Sequence, residues 1–334
     1  MNILNEVLKN NKTSLNPIWI MRQAGRYLPE FREIRKNNQN FIKLCLDHEL
    51  SSEITLQPIK RFDLDAAIIF SDILMVPYGL NQKVEFKKDF GPILGDLTLD
   101  EMLNITERNF IESVLPVYTA INFVSKNDLI KNKKSTIGFV GAPWTLMVYM
   151  INKQSPKVNL KKDFFSNKDL IEKLFFVLDK FLKIHIKNQI ENGAQIIQIF
   201  DSWVGLLDEK DLPKYAYNPT FNLVEYVKAL NVPVICFPRG IKNYKTYCEI
   251  VKPDAICIDY EVDPIKIVKE IQIPVQGGMD PKVLLADKDT LKKEALKYLD
   301  IFKDHPYIFN LGHGVLPETD PNMMDYLVKT VKNY

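Results

Sequence analysis

Short apolar runs recur along the whole chain, and each ends at a glycine, a proline or a polar residue. Runs of this kind, without a regular alternation of polar positions, are typical of parallel β-strands that are buried on both faces. The pattern predicts strands at residues 18–21, 66–70, 137–140, 195–200, 233–237, 255–258, 273–276 and 307–311.

Longer amphipathic segments separate most of these runs. Residues 168–192 are an example, because apolar residues recur there at spacings of three, four and seven and Gly193 follows as a stop signal. The repeated strand–helix order, without a flexible linker, favours an α/β fold of the (β/α)8 TIM barrel type over an open doubly wound sheet. We expect a single domain, 1–334, with an insertion of short elements around 79–96 because 71–136 is too long for one crossover helix.

Composition and charge exclude several classes of partner. The 44 Lys and Arg residues nearly balance the 42 Asp and Glu residues, so the net charge of +2 gives no reason to expect nucleic acid. Residues 1–10 lack the basic start and the apolar run of a signal peptide, and no run reaches the ~18 apolar residues of a membrane span. We therefore expect a cytoplasmic protein that binds neither nucleic acid nor membrane.

Familiar catalytic motifs are missing from the chain. It contains no GxGxxG, GxxxxGK[ST], GxSxG or HExxH, the usual motifs for dinucleotides, nucleotides, acyl transfer and zinc proteolysis. The four cysteines form no CxxC pair, and Cys236 and Cys257 lie in strand runs, where reduced and buried thiols are expected. Catalytic groups of a barrel gather at the carboxyl ends of its strands, so the residues that follow each run are the candidates.

The first run leads into the polar segment 22–26, Arg22-Gln23-Ala24-Gly25-Arg26. We expect Gly25 to adopt a left-handed turn, so that two guanidinium groups and several backbone N–H groups face one space and receive a carboxylate. Alternatively, the two arginines are surface residues that pair with Glu30 or Glu33.

The second run leads into Asp72, and apolar Ile73, Leu74 and Met75 follow it. Such surroundings desolvate a carboxylate, which then needs a donor or a cation. The alternative is that Asp72 or Ser71 caps the next helix. After the third run, Tyr149 offers a phenol to a substrate oxygen or is an ordinary core tyrosine.

Further polar residues follow the remaining runs, namely Asp201, Ser202, Arg239, Asp259, Asp280 and His313. His313 lies between two glycines, where the backbone can approach a ligand closely and an imidazole titrates near neutrality, although structural histidines also occur in such turns. The other three histidines, His48, His185 and His305, are predicted to be structural.

Four motifs stand out in the chain, namely Met21-Arg22-Gln23-Ala24-Gly25-Arg26-Tyr27-Leu28-Pro29-Glu30, Phe70-Ser71-Asp72-Ile73, Gly141-Ala142-Pro143-Trp144-Thr145-Leu146 and Asn310-Leu311-Gly312-His313-Gly314. Together they resemble the uroporphyrinogen decarboxylase family, over about residues 17–321. The resemblance implies a distorted (β/α)8 barrel, usually a homodimer. It also implies a lyase that decarboxylates the four acetate side chains of uroporphyrinogen III to give coproporphyrinogen III in heme biosynthesis, without metal or other cofactor. One departure is Gly278, where many family members have Asn.

The resemblance also implies the residues of the site. The catalytic set is Asp72, Arg26 and His313, and the substrate-binding set is Arg22, Gln23, Ala24, Gly25, Arg26, Asp72, Tyr149, Ser202 and His313. Asp72 would stabilise a cationic pyrrole ring, and the arginines would receive substrate carboxylates. The identity of the proton donor stays open. Acidity alone favours His313 or a relayed solvent proton, because the pKa of Arg is roughly 12 or more and that of His is about 6.5, and a guanidinium held against the forming carbanion is the alternative.

Two other functions are compatible with such a barrel. A zinc-dependent methyltransferase needs a His-x-Cys pair and a further Cys as ligands, and the chain has no His-x-Cys pair. A tetrapyrrole carrier would keep the arginines but would not need Asp72.

Overall fold

The structure is a computed structural model that describes residues 3–10, 16–87, 90–156, 160 and 163–334. Over these ranges the strands are β1 (Ala66–Ile68), β2 (Val84–Lys87), β3 (Gly91–Leu94), β4 (Ser135–Gly141), β5 (Ile196–Asp201), β6 (Val234–Pro238), β7 (Ala255–Ile258), β8 (Val275–Gly277) and β9 (Tyr307–Ile308). The α-helices are α1 (Ile3–Asn10), α2 (Pro29–Asn37), α3 (Phe41–Cys45), α4 (His48–Arg61), α5 (Met75–Gly79), α6 (Leu99–Asn104), α7 (Glu107–Lys126), α8 (Pro143–Asn152), α9 (Lys168–Glu191), α10 (Asn218–Ala229), α11 (Tyr244–Val251), α12 (Pro264–Glu270), α13 (Lys288–Ile301) and α14 (Pro321–Lys332). Short 3-10 helices occupy Val204–Leu206 and Pro281–Leu285, and a π-helix occupies Pro213–Tyr217. Among the helices of these ranges, none is long and apolar enough to cross a membrane.

The strands close into a barrel. Within the described residues, seven parallel strands form one sheet in the order β1-β4-β5-β6-β7-β8-β9. Residues 17–20 lie between the two edges of this sheet, because Ile18 forms a parallel bridge with Phe309 and its carbonyl accepts the Asp65 N–H at 2.8 Å. This segment supplies the remaining barrel strand, and the predicted (β/α)8 fold is confirmed.

The barrel is distorted near its seam. The predicted strand 18–21 is reduced to the bridge at Ile18, because the chain turns at Arg22 directly after it. The expected insertion is present, since α5, the antiparallel hairpin β2–β3, α6 and α7 lie between β1 and β4. The helix predicted at 168–192 is α9, which ends just before Gly193 at a φ of 113°.

Apolar side chains fill the barrel from its amino-terminal end. Alternate strand residues point inward and pack with Leu4, Val7 and Leu8 of α1, so α1 covers that end; they include Trp19, Ile68, Ile137, Ile196, Ile235, Phe237, Cys257 and Ile308. At the carboxyl end, Phe139 and Phe200 are only half-buried and meet edge to face at 5.7 Å. These two aromatic rings therefore form the base of the cleft at the open end of the barrel.

Three histidines and the cysteines belong to the scaffold, as predicted. His185 Nδ1 lies 2.8 Å from the Tyr118 hydroxyl oxygen in the core between α7 and α9. His305 Nε2 lies 3.0 Å from a backbone carbonyl, and His48 stacks on an aromatic ring of α7. All four cysteines are free, and those in β6 and β7 are buried.

Candidate active site

Arg22 leaves the first barrel segment in a left-handed backbone conformation, with a φ of 61°. An arginine is uncommon there because its β-carbon crowds the backbone, and the conformation costs about 1–3 kcal/mol unless the surroundings hold it. The left-handed turn that we predicted at Gly25 is therefore wrong in position. Gly25 is needed for a close approach instead, since a β-carbon there would lie 3.0 Å from the Arg22 carbonyl oxygen.

Hydrogen bonds from the far end of the chain hold this turn. Asn310 Oδ1 accepts the Met21 N–H at 2.9 Å, and the Val315 N–H donates to the Met21 carbonyl at 3.0 Å. Both partners belong to the segment that follows β9. The end of the last strand thus fixes the backbone immediately before Arg22, and this restraint is invisible in the local sequence.

Gln23 is fully buried and supports the turn from inside. Its Oε1 accepts the Ile20 N–H and its Nε2 donates to the Ala66 carbonyl, both at 3.0 Å. The Gln23 carbonyl accepts the Tyr27 hydroxyl at 2.9 Å. The side chain that we expected to contact substrate therefore faces the scaffold, and Gln23 ties the arginine-bearing loop to β1.

Asp72 lies half-buried at the carboxyl end of β1. Its Oδ1 accepts the Leu74 N–H at 2.9 Å, and its carbonyl accepts the Met75 N–H at 3.2 Å, so the residue starts the turn into α5. The capping alternative is wrong, because the N-cap residue of α5 is Leu74 and the helix has no side-chain cap; Asp72 Oδ1 closes only the turn before it, and Oδ2 takes no part in this turn. Burial raises the pKa of Asp72 to about 6, although the Leu74 N–H and the nearby Arg22 charge both oppose the rise.

The structure brings Arg22, Asp72, Tyr149 and His313 together. Burial lowers the pKa of Arg22, whereas the Asp72 charge raises it. Burial raises the pKa of Tyr149, which feels the charges of both residues. Burial and the positive charges of Arg22 and Arg239 lower the pKa of His313 to about 4. At neutral pH the imidazole is therefore uncharged and Asp72 is mostly ionised.

The Arg22 side chain reaches this cluster by crossing Gly314. A β-carbon at Gly314 would collide with Arg22 Cδ and would lie 2.7 Å from Cγ and 2.9 Å from Nε. The glycine beside His313 therefore leaves the space through which the guanidinium passes.

The two acids proposed as structural partners of the arginines bind elsewhere. Glu30 forms paired hydrogen bonds of 2.9 Å with Arg61, and Glu33 pairs with a lysine of its own helix. Arg26 is exposed at the mouth of the cleft, close enough for its charge to affect Arg22. Both guanidinium groups thus remain available to an anion.

Backbone N–H groups of the same loop are also available. In the part of the chain that the structure describes, the N–H groups of Ala24, Gly25 and Arg26 donate to no protein acceptor. The carbonyls of Gly25 and Arg26, in contrast, accept bonds from the Leu28 N–H and from an arginine of α2. An anion that approaches the loop can therefore accept hydrogen bonds from these three N–H groups.

Ser202 follows β5 and is half-buried at the rim of the barrel. Its neighbours anchor it, because Thr145 donates to Asp201 Oδ1 at 2.6 Å and accepts the Trp203 N–H at 3.0 Å. Burial raises the pKa of Asp201 to about 7. Thr145 therefore ties the Ser202 loop to the start of α8, which also bears Tyr149.

Comparisons with known proteins show the family of the chain. The family described as uroporphyrinogen decarboxylase (URO-D) matches residues 2–334. The chain belongs to the uroporphyrinogen decarboxylase family. It is 42% identical over 327 residues to the uroporphyrinogen decarboxylase of Rickettsia bellii, which covers 95% of each chain. It is 39% identical over 335 residues to that of Rickettsia felis, with 98% of this chain and 95% of the relative covered. Among solved structures, a methyltransferase from Methanosarcina mazei has a TM-score of 0.79 at 14% identity, over 99% of this chain and 97% of that one, which shows the fold alone.

Gly278, the departure from the uroporphyrinogen decarboxylase pattern, is explained by a tyrosine. The glycine has a φ of 101°, and a β-carbon there would lie 2.7 Å from Tyr298 Cε1. The Tyr298 hydroxyl donates to the Gly278 carbonyl at 2.7 Å. The tyrosine occupies the space that a side chain at this position would need.

Two further residues of the site are Arg239 and Asp259. Both were noted at strand ends in the sequence but were not included among the predicted site residues. Arg239 follows β6, and its charge acts on both Arg22 and His313. Asp259 follows β7 and is buried, with its oxygens accepting the N–H groups of Gly240 and Glu261 at 2.9 Å. Their position relative to Arg22 depends on barrel closure, which no local pattern reveals.

Among the described residues, no three His, Cys, Asp or Glu side chains are grouped so that they could hold a metal ion.

Proposed function

We propose that this chain is a uroporphyrinogen decarboxylase, a carboxy-lyase of heme biosynthesis that converts uroporphyrinogen III to coproporphyrinogen III. Membership of the family over nearly the whole chain supports the reaction. The structural observation that supports it most directly is the position of the Asp72 carboxylate beside Arg22 at the open end of the barrel.

Decarboxylation releases an electron pair that needs an acceptor. A pyrrole ring protonated on carbon is such an acceptor, because it carries an iminium-like positive charge. The bond between the acetate CH2 and its carboxylate breaks, the electron pair moves into the ring, and CO2 leaves. A proton then adds to the exocyclic carbon, which becomes a methyl group, and the ring releases its first proton. This chemistry needs no metal or other cofactor, and we propose that the enzyme uses none.

Asp72 stabilises the cationic ring in this account. A fixed carboxylate in a site with little water attracts a cation more strongly than the same charge in water. Its pKa of about 6 leaves it mostly ionised at neutral pH. Since Oδ1 accepts the Leu74 N–H, Oδ2 is the oxygen that accepts pyrrole N–H groups and orients the flexible ring.

The proton donor in this account is not His313, which is one of the two sources that acidity alone favours. With a pKa of about 4, His313 is neutral at pH 7 and has no imidazolium proton to give. Its function is then a neutral hydrogen bond to substrate. A solvent proton or a guanidinium of the loop is the acid, and burial lowers the pKa of Arg22 in the direction that favours proton donation.

The substrate carboxylates bind at the arginine loop, on its cleft side. Arg22 and Arg26 form charge-assisted hydrogen bonds with them, and the N–H groups of residues 24–26 add further donors. Tyr149 and Ser202 supply hydroxyl groups from α8 and from the end of β5. We further propose that 1–334 act as one domain and as a homodimer in the cytoplasm, without nucleic acid or membrane.

Anaerobic incubation with uroporphyrinogen III tests this function. The products are counted by their carboxyl groups, and we expect stepwise loss of four carboxyls with an equal release of CO2. Binding of the tetrapyrrole without any loss of carboxyl groups would contradict the proposal and indicate a carrier. Activity that disappears on zinc removal and returns with zinc would favour the metal-dependent alternative.

A further inference from the structure

We propose that Arg239 binds a substrate carboxylate on the side of the cleft opposite Arg22 and Arg26. This inference rests on the proposed function, because it takes the substrate to be a ring with carboxylates around its rim. It adds a second anchor to the cleft, which holds the ring from both sides.

The order of the barrel strands places Arg239 opposite the arginine loop. Starting from the segment 17–20, the order continues through β1, β4 and β5 to β6, which is halfway round the barrel. Along β6, Ile235 and Phe237 point into the barrel. Since side chains of a strand alternate, Arg239 continues the inward face just beyond Pro238, at the open end.

The backbone at Arg239 is held on both sides. The Arg239 N–H donates to the Asp201 carbonyl at 3.1 Å, which extends the parallel ladder past the end of β6. The next N–H, of Gly240, donates to Asp259 Oδ2 at 2.9 Å. On the other side, a β-carbon at Gly205 would lie 3.0 Å from the Gly240 carbonyl oxygen and 3.2 Å from that of Arg239. Because its backbone is held in this way, Arg239 loses little conformational entropy when it binds a ligand.

The Arg239 guanidinium has no counter-ion in the protein over the ranges that the structure describes. The neighbouring carboxylate of Asp259 uses both oxygens for backbone N–H groups. Arg239 is half-buried, and a partly desolvated charge without a partner is unfavourable until an anion arrives. A planar guanidinium fits a carboxylate through two parallel hydrogen bonds. The positive charge also acts on His313 and Arg22, so it faces the space in which the substrate reacts.

Steady-state kinetics with uroporphyrinogen III test the proposal. The variants are Arg239→Gln, Arg239→Lys and, as a matched control, Lys242→Gln, which removes an exposed charge from the same loop. We expect Arg239→Gln to raise KM about tenfold or more and to change kcat by less than about twofold, because the carboxylate is bound equally before and during the reaction. Arg239→Lys keeps the charge but loses the paired geometry, so we expect an intermediate rise of about threefold. Lys242→Gln should match the wild type.

An unchanged KM in folded Arg239→Gln, or an equal rise in the Lys242→Gln control, would overturn the inference. Thermal unfolding of each variant shows whether the protein is folded. If Arg239→Gln does not fold, Arg239→Lys decides, and a wild-type KM in that variant counts against the proposal. Failure of the proposed function looks different, since the wild type would then release no CO2.

Discussion

The side chain of Arg22 crosses the α-carbon of Gly314, where any β-carbon would collide with Arg22 Cδ. Arg22 follows the first barrel segment and Gly314 follows the last strand, so this contact spans the barrel seam. Gly314 is not among the residues with positive φ in the described chain. A glycine is therefore needed at position 314 because the Arg22 side chain passes over it toward Asp72, and not because the backbone of residue 314 is strained.

Gly314→Ala should displace Arg22 without unfolding the protein. We expect kcat/KM to fall by about 10- to 100-fold, because a shift of about 1 Å in a positioning group has effects of this size. A double-mutant cycle with Arg22→Ala, which removes the side-chain atoms that the new β-carbon would meet, separates this cause from a general structural defect. The double variant should be little worse than Arg22→Ala alone. Losses that multiply fully would show that Gly314 acts independently of Arg22.

Arg22→Asn should separate stability from activity. Asparagine tolerates the left-handed conformation at a φ of 61° better than arginine does. We expect the free energy of unfolding to stay equal or to rise by up to about 1 kcal/mol, while decarboxylation is lost with the guanidinium. Urea unfolding followed by circular dichroism measures the free energy of unfolding, and product analysis measures decarboxylation. A clear loss of stability would mean that the arginine is held without strain.

The acid limb of the pH profile should report Asp72. Its pKa is raised to about 6 by burial, so kcat/KM should rise with pH through about 6 and level off above it, instead of near 4 as for an ordinary carboxyl. The Arg22 charge lowers the pKa of Asp72, so the titration of the Asp72 carboxyl, followed by carbon-13 NMR, should move to higher pH in Arg22→Gln. A kinetic limb near 4 in the wild type, or an unmoved carboxyl titration in the variant, would argue against Asp72 as the titrating group.

Local sequence patterns predicted most of the barrel strands but not the position of the left-handed turn at Arg22. The apolar runs predicted the barrel, and the gap between 70 and 137 predicted the insertion. The left-handed residue was assigned to Gly25, because glycine has the lowest cost there, whereas Asn310 and Val315 impose it on Arg22 from far along the chain. The acidity of His313 also depends on neighbours, Arg22 and Arg239, that only the closed barrel brings near.

Gly278→Asn, which introduces the residue that the family resemblance implies at this position, should destabilise this chain. The φ of 101° disfavours a side chain, and Tyr298 fills the space, so we expect a loss of about 2–3 kcal/mol in the free energy of unfolding. Tyr298→Phe is the control, because it removes the hydrogen bond to the Gly278 carbonyl and keeps the ring. It should cost about 1 kcal/mol. Equal stability of Gly278→Asn and the wild type would show that the tyrosine moves aside freely.

Asp72→Asn tests the central claim most directly. Asparagine keeps an oxygen for the Leu74 N–H and thus the turn into α5, but it removes the negative charge that faces the pyrrole rings. With uroporphyrinogen III under anaerobic conditions, we expect turnover to fall about a thousandfold, with a thermal unfolding midpoint equal to that of the wild type. Near-normal formation of coproporphyrinogen III by the folded Asp72→Asn variant would contradict the account.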